Sequence, residues 1–373
     1  MSLHITSRWL LILLLPAAIP KFTSTSSPEL DTLLESIRSK VFLPSYLNKS
    51  QLKLVRSNKA KTQLDNDPVF ATFGEEEIRL THLDVTKDQP RKKVLLQFKD
   101  MAKESKDWAN LPALLDGWHH ARPNTPASII APLVRQASKA GQLSTIIQCL
   151  WQVEKNGLSL ADPLLRFTII QSIRINALES GWGNITKRSF KQIQTVLELM
   201  EKPGHCGSRT VSDSDPRAEP FCIGVALELA ARRVQNEFGG KDEEGFVATY
   251  FKRLTSALGQ QKSELSSFSI EQMALTSGQA YDGLTVDEKR AAFGRFLSRH
   301  LPAWHGLKLA KRILGNSVSA ESRQVAEKFQ KDIETKLNLA YKAAHEAQPV
   351  ASPVTAGDGD HDAFAEWRSS RGR

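Results

Sequence analysis

Apolar residues return every three or four positions, almost without interruption, from about residue 93 to residue 348. That period places them on one face of an α-helix, so such a chain must build its core by packing helix on helix. Gly, Pro, Asn and Ser mark the breaks. Ile130, Leu133, Val134 and Ala137 form one stripe; Leu143, Ile146, Ile147, Leu150 and Val153 form the next, on a helix entered after Gly141 and left at Gly157. Two helices joined by so tight a turn make an antiparallel hairpin. The pattern recurs at 163–180 with 187–201, at 218–236 with 243–258, and at 270–281 with 286–301, and a last helix is expected over 320–347. The expected fold class is therefore mainly α, an α-solenoid of stacked helical hairpins.

Ahead of this array, residues 29–92 read as a small basic module. Between Ile37 and Leu64 there is no acid, whereas Arg38, Lys40, Lys49, Lys53, Arg56, Lys59 and Lys61 accumulate, the strongest local charge bias in the chain. The runs 69–73 and 78–83, joined at 74–77, suggest a β-hairpin. Behind the array, residues 349–373 turn to Pro, Gly, Asp and Ser and are expected to be a disordered tail. The Gly-, Ser-, Asp- and Pro-rich stretch 204–220 is expected to be a mobile loop inserted into the array.

Residues 1–28 contain no acid, two bases (Arg8 and Lys21), a hydroxyl-rich stretch at 23–27 and an apolar run at 9–19 broken by Pro16. They read as a targeting segment. A run of about eleven residues falls short of the roughly 20 that cross a bilayer, so no transmembrane span is expected. Two addresses fit: a mitochondrial presequence, or a secretory signal, with Asn48 and Asn184 then standing in glycosylation tripeptides. Three cysteines, Cys149, Cys206 and Cys222, argue against a disulfide-built secreted fold. Fifty Lys and Arg against 41 Asp and Glu give a net charge of +9, which favours anionic partners such as RNA.

One window is more specific. Residues 128–162, with Leu133, the Lys139-Ala140-Gly141 turn, Leu143, the core positions from Leu150 to Val153, and Gly157 before an apolar residue, resemble a pentatricopeptide repeat. That 35-residue helical hairpin is common in organellar RNA-binding proteins. The resemblance implies a mitochondrial, matrix-located helical-repeat protein that binds mitochondrial RNA or the mitoribosome in gene expression. In the family, each repeat reads a base through a polar residue early in its first helix and another at the repeat's end. Here those places fall near Pro132 and Asp162. Proline has no side-chain donor or acceptor, so base readout is weakened, leaving backbone binding or a protein-binding scaffold for a mitochondrial complex as the uses implied.

RNA contact requires cations against phosphates and flat side chains against bases. The seven cations from Arg38 to Lys61 are the first candidates, with Phe42 and Tyr46 as the only aromatics among them; Lys187, Arg188 and Lys191 are second. Trp118, His119, His120 and Arg122 read as an aromatic anchor with helix-end capping. His205, Cys206 and Cys222 are one ligand short of a structural zinc site, and the acidic run from Asp358 lacks the Gly and Glu of a calcium loop. With no phosphate-cradling Gly-rich loop, nucleophile elbow or zinc-hydrolase motif, no catalytic residue, metal or cofactor is assigned and a non-enzymatic role is expected.

Overall fold

The computed structural model describes residues 18–207, 215–260, 269, 273, 283–346 and 362–371. The chain divides into two compact units, Met1–Ser159 and Leu160–Arg373. Helices dominate both.

In the first unit, Ser27 starts α1 (Pro28–Ile37): its Oγ accepts from the Leu30 N–H, and Pro28 occupies the first turn, where a missing N–H costs nothing. A π-helical turn, Arg38–Phe42, leads into α2 (Leu43–Tyr46). The Asn48 side chain then accepts from Gln51 N–H while Gln51 Oε1 accepts from Asn48 N–H, a reciprocal cap that opens α3 (Lys49–Arg56). A 3₁₀ turn, Asn58–Ala60, and α4 (Lys61–Asn66) follow. The hairpin comprises β1 (Phe70–Phe73) and β2 (Glu76–Arg79), antiparallel with Phe73 opposite Glu76. Its loop is thus Gly74-Glu75, two residues shorter than the 74–77 turn expected, and Gly74 supplies the positive φ of 61° that the first loop position of a type II′ turn requires.

The rest of this unit is α5 (Lys93–Met101), α6 (Ser105–Trp108), α7 (Leu111–Ala121), α8 (Ala127–Lys139), α9 (Leu143–Trp151) and α10 (Val153–Asn156). The turn between α8 and α9 is closed by Gln142 N–H donating to Ala137 O (2.8 Å) and Gly141 N–H to Ser138 O (2.9 Å), with Gly141 left-handed. Gly157, at φ 69°, ends α10 as the sequence predicts.

Part of the expected targeting segment packs against the first unit. Residues 19–27 belong to the fold: Ile19 is buried, Phe22 packs on Phe42, and Lys21 pairs with Glu76. Thr23 exchanges hydrogen bonds with the Asn110 side chain, and Ser26 gives both N–H and Oγ–H to the Asp107 carboxylate at 2.6 and 2.8 Å. The hydroxyls that read as a targeting composition are hydrogen-bonding partners of two buried polar side chains.

The second unit holds α11 (Pro163–Glu179), α12 (Ile185–Met200), α13 (Pro220–Glu237), α14 (Phe246–Gln260), α15 (Val286–Leu314), α16 (Ala320–Glu346) and α17 (Ala363–Arg371). Helix α13 is buried nearly all round, from Phe221 to Ala231, and crosses α15 closely. The approach depends on absent side chains: a Cβ on Gly224 would sit 2.8 Å from the backbone N and Cα of Ala303. Helix α15 runs on to Leu314, through Pro302, where a break was expected. Proline forfeits one backbone bond, at a cost of about 3 kcal/mol, but Leu301, Ala303, Trp304, Leu307 and Ala310 around it are buried and outweigh that loss.

Two further expectations change. Residues 363–371, assigned to a disordered tail, form α17, because Trp367 is buried against Trp304 (ring centroids 5.1 Å apart) and Glu366 enters an ion cluster. The described ends of the 204–220 stretch are anchored rather than loose: His205, Cys206 and Asp215 are buried, and Asp215 grips Arg217. The expected helix at 270–281 and the rest of the tail lie outside the described residues, except Met273.

Candidate functional site

The first unit presents the cations. Lys49, Lys53 and Arg56 stand at i, i+4 and i+7 on α3, hence on one helix face, and all three are exposed. Lys59 and Lys61, also exposed, continue the charge past the helix end. None of these five forms an ion pair with a described acid. The opposite side of α3 buries Val55, whose carbonyl accepts from Leu83 N–H at 3.0 Å, so the helix is held against the residues that follow the hairpin.

Arg38 is placed differently from the sequence expectation. Its Nη2 donates to both oxygens of Glu76 at 2.8 and 2.7 Å and its Nε to Pro20 O at 3.1 Å. It is a fastener between the π turn, the hairpin and the amino-terminal strap, not a free phosphate ligand. Burial works to raise the Glu76 pKa, but Arg38 and Lys21 outweigh it and hold the carboxyl below its usual range. Lys40, two residues on, is half-buried. Of the two aromatics, Phe42 is fully buried and Tyr46 stacks on His120, 4.1 Å between centroids, so neither is a bare stacking platform.

In the second unit Lys187, Arg188 and Lys191 are exposed on the first turns of α12, and Lys187 lies 3.6 Å from Glu237. Asp162 is occupied as the cap of α11, accepting from Leu164 and Leu165 N–H at 2.8 and 3.0 Å, and Pro132 sits inside α8. His205 Nδ1 accepts from Leu160 N–H, and the Cys222 thiol is pushed up by burial and by Glu219. Among the described residues no group of three His, Cys, Asp or Glu is arranged to hold a metal. No helix among them is long and apolar enough to cross a membrane. Trp118 and Arg122 are structural: Trp118 Nε1 donates to Thr125 Oγ1, and Arg122 lies over the Trp118 ring and donates to Pro90 O.

A buried ion cluster in the second unit has no signature in local residue spacing. Arg174 of α11, with no exposed side-chain surface, donates to Glu228 of α13 through Nε (2.6 Å) and Nη2 (3.3 Å) and to Glu366 of α17 through Nη1 (3.0 Å) and Nη2. His305 of α15 completes the group, with Nδ1 3.1 Å from Glu228 and 3.3 Å from Glu366. Burial disfavours the Glu228 charge, but Arg174 and then His305 more than compensate, and its pKa is lowered. The available signal was a lone charge in an apolar run: Arg174 after Ile169, Ile170 and Ile173, and Glu228 between Leu227 and Leu229.

These features define a class: a mainly helical, two-unit protein whose buried charges are structural and whose exposed chemistry is a cationic module. Residues 14–367 match the family model of mitochondrial ribosomal protein mS27, and the chain belongs to that family. It is also similar to the small ribosomal subunit protein mS27 of Neurospora crassa, 29% identical over 228 residues. That match covers 58% of this chain and 57% of the relative, so the chain spans little more than half of it.

Proposed function

We propose that this protein is a non-enzymatic constituent of the small subunit of the mitochondrial ribosome, acting in mitochondrial translation in the matrix. The observation that carries the reading is the family match over residues 14–367, which runs through both units. The chemistry proposed for the contact is neutralisation of ribosomal RNA phosphates by Lys49, Lys53, Arg56, Lys59 and Lys61, five exposed cations close together in sequence and without a described acid partner. Lys40 is a flanking contact, and Lys187, Arg188 and Lys191 are a secondary set on the other unit; Arg38, engaged by Glu76, contributes through the fold. We further infer that the helices stack as a pentatricopeptide-like solenoid. The tight α8–α9 hairpin over the resembling window supports this, as do the successive contacts of α11 with α12, α12 with α13, and α13 with α14. With Asp162 used as a cap, binding is to backbone rather than to base edges.

The test is RNA binding by the full chain and by a variant with Lys53, Arg56, Lys59 and Lys61 changed to Gln, over a salt series. Each phosphate contact removed lowers the slope of log affinity against log salt by about 0.7 to 0.9, so losing four should flatten it by about 3. An unchanged slope removes these residues from the interface. Co-sedimentation with the small subunit but no crosslink to its RNA would favour the protein-scaffold use instead.

A further inference from the structure

The hairpin of the first unit leaves a strand edge uncovered. In its register Phe70 stands opposite Arg79, Ala71 opposite Ile78, Thr72 opposite Glu77 and Phe73 opposite Glu76. Leu80 N–H donates to Val69 O at 2.8 Å, so that pair is a hydrogen-bonded one and, by alternation, so are Ala71 with Ile78 and Phe73 with Glu76. The backbone N–H and C=O of Phe70 and Thr72 therefore point away from β2, and no described residue bonds to them. Ala71 and Phe73 bury their side chains, whereas Thr72 is exposed and Phe70 is 50% exposed. An open edge is a template for a further strand, and proteins commonly blunt it with Pro, a charge or a bulge. Strand β1 has neither Pro nor charge, and its register runs without a bulge.

The surroundings set the sign of what can dock there. From residue 62 to residue 78 the chain has five acids, Asp65, Asp67, Glu75, Glu76 and Glu77, and no base, in a protein of net charge +9. Arg38 and Lys21 engage Glu76. The other four are exposed and form no ion pair with a described base. Two of them bracket β1: Asp67 stands three residues before Phe70, and Glu75 two residues after Phe73. The base beside the strand, Arg79, is turned to the end of α4, where its Nη2 donates to Leu64 O and Asp65 O at 3.4 and 3.3 Å. Such a surface repels phosphates, hence RNA, and attracts cations. Acids alone would only be solvated; joined to an open edge and a bare ring, they select an extended cationic chain.

We propose that β1 is a docking edge for an extended, basic segment of a neighbouring protein, which adds a third strand to the hairpin. Its backbone pairs with the outward groups of Phe70 and Thr72. An apolar side chain of the segment covers the Phe70 ring, and a Lys or Arg toward each end meets Asp67 and Glu75. Four residues at about 3.3 Å each make the paired stretch about 13 Å long. This edge is separate from the cations of α3 and does not depend on their binding RNA.

The test uses the full chain with Phe70 replaced by the photoreactive p-benzoylphenylalanine, irradiated in intact mitochondria, and mass spectrometry of the peptide attached at that position. One peptide of another protein should dominate, with Lys or Arg on both sides of an apolar residue. Thr72→Pro removes an outward N–H while leaving the ladder to β2 in place, and should abolish the capture. Asp67→Asn combined with Glu75→Gln alters no backbone bond and should weaken the capture about two- to thirtyfold, the loss expected for two exposed ion pairs. The charge variant decides the matter even where proline disturbs the hairpin. RNA at position 70, a peptide without bases, no crosslink, or capture unchanged in the charge variant would each overturn the proposal. Co-sedimentation of the unsubstituted chain with the small subunit tests the ribosomal assignment separately, so the two failures are told apart.

Discussion

Gly224→Ala asks whether the α13–α15 crossing is as tight as its geometry requires. The added methyl would lie 2.8 Å from the backbone N and Cα of Ala303 and 2.9 Å from its Cβ. Ordinary contact begins near 3.4 Å, so the helices must part by more than half an ångström. Because the obstacle is backbone rather than a side-chain tip, no rotamer change relieves it. Overpacking of this kind costs about 1–3 kcal/mol, while replacing a helical glycine by alanine returns about 1 kcal/mol. Glu228 lies one helical turn from Gly224, so the displacement also strains the 2.6 Å contact with Arg174 and moves the cost toward its upper end. The expected net loss is about 2 kcal/mol, or about 4–8 °C in Tm for a unit of this size. Gly259, near the end of α14 with nothing within 4 Å of its Cβ position, is the control, and Gly259→Ala should be neutral or slightly stabilising. Thermal and urea unfolding followed by tryptophan fluorescence and circular dichroism read both. A Gly224→Ala protein as stable as wild type would refute the close-crossing argument.

Two other outcomes are expected. Burial keeps Asp107 from being easily charged, yet the N–H groups of Glu104, Lys103 and Ser26 and the Ser26 hydroxyl hold its pKa below the ordinary value. Asp107→Ala should therefore cost about 3 kcal/mol and release the strap at 23–26, seen as lost hydrogen-exchange protection there; a change under 0.5 kcal/mol would contradict the role given to that carboxylate. Burial lowers the His300 pKa from 6.5 to about 4, so the folded protein keeps this ring neutral while the unfolded chain takes up a proton. Stability should be full above pH 6.5 and fall by about 2 kcal/mol between pH 6.5 and 5, a slope that His300→Gln should lessen in urea titrations at the two pH values.

The helices were legible because their signal is local. The stripes at Ile130–Ala137 and Leu143–Leu150, and the turn at Gly141, give helix, turn and helix where expected. What stayed hidden depends on partners distant in sequence. Pro302 reads as a stop until the packing of Leu301 and Trp304 is known. The hydroxyls at 23–27 read as targeting composition until Asp107 and Asn110, more than eighty positions on, are brought beside them. Arg38 counts as one more cation until Glu76 meets it. The tail looked unable to fold because its composition is poor, but a single Trp, Glu and Ser find the cavity, cation and imidazole that fit them. Lys49, Lys53 and Arg56 could be read from sequence as charge and helical spacing, although not as exposed and unopposed.

The Arg174–Glu366 contact joins positions 192 residues apart. Closing so long a span is slow, and a chain made from its amino end outward has Arg174 and Glu228 available well before Glu366 arrives. Completion of the second unit therefore waits until α17 has been made. A product cut short before Asp362 would leave the Trp304 face without its Trp367 cover and expose it to proteases.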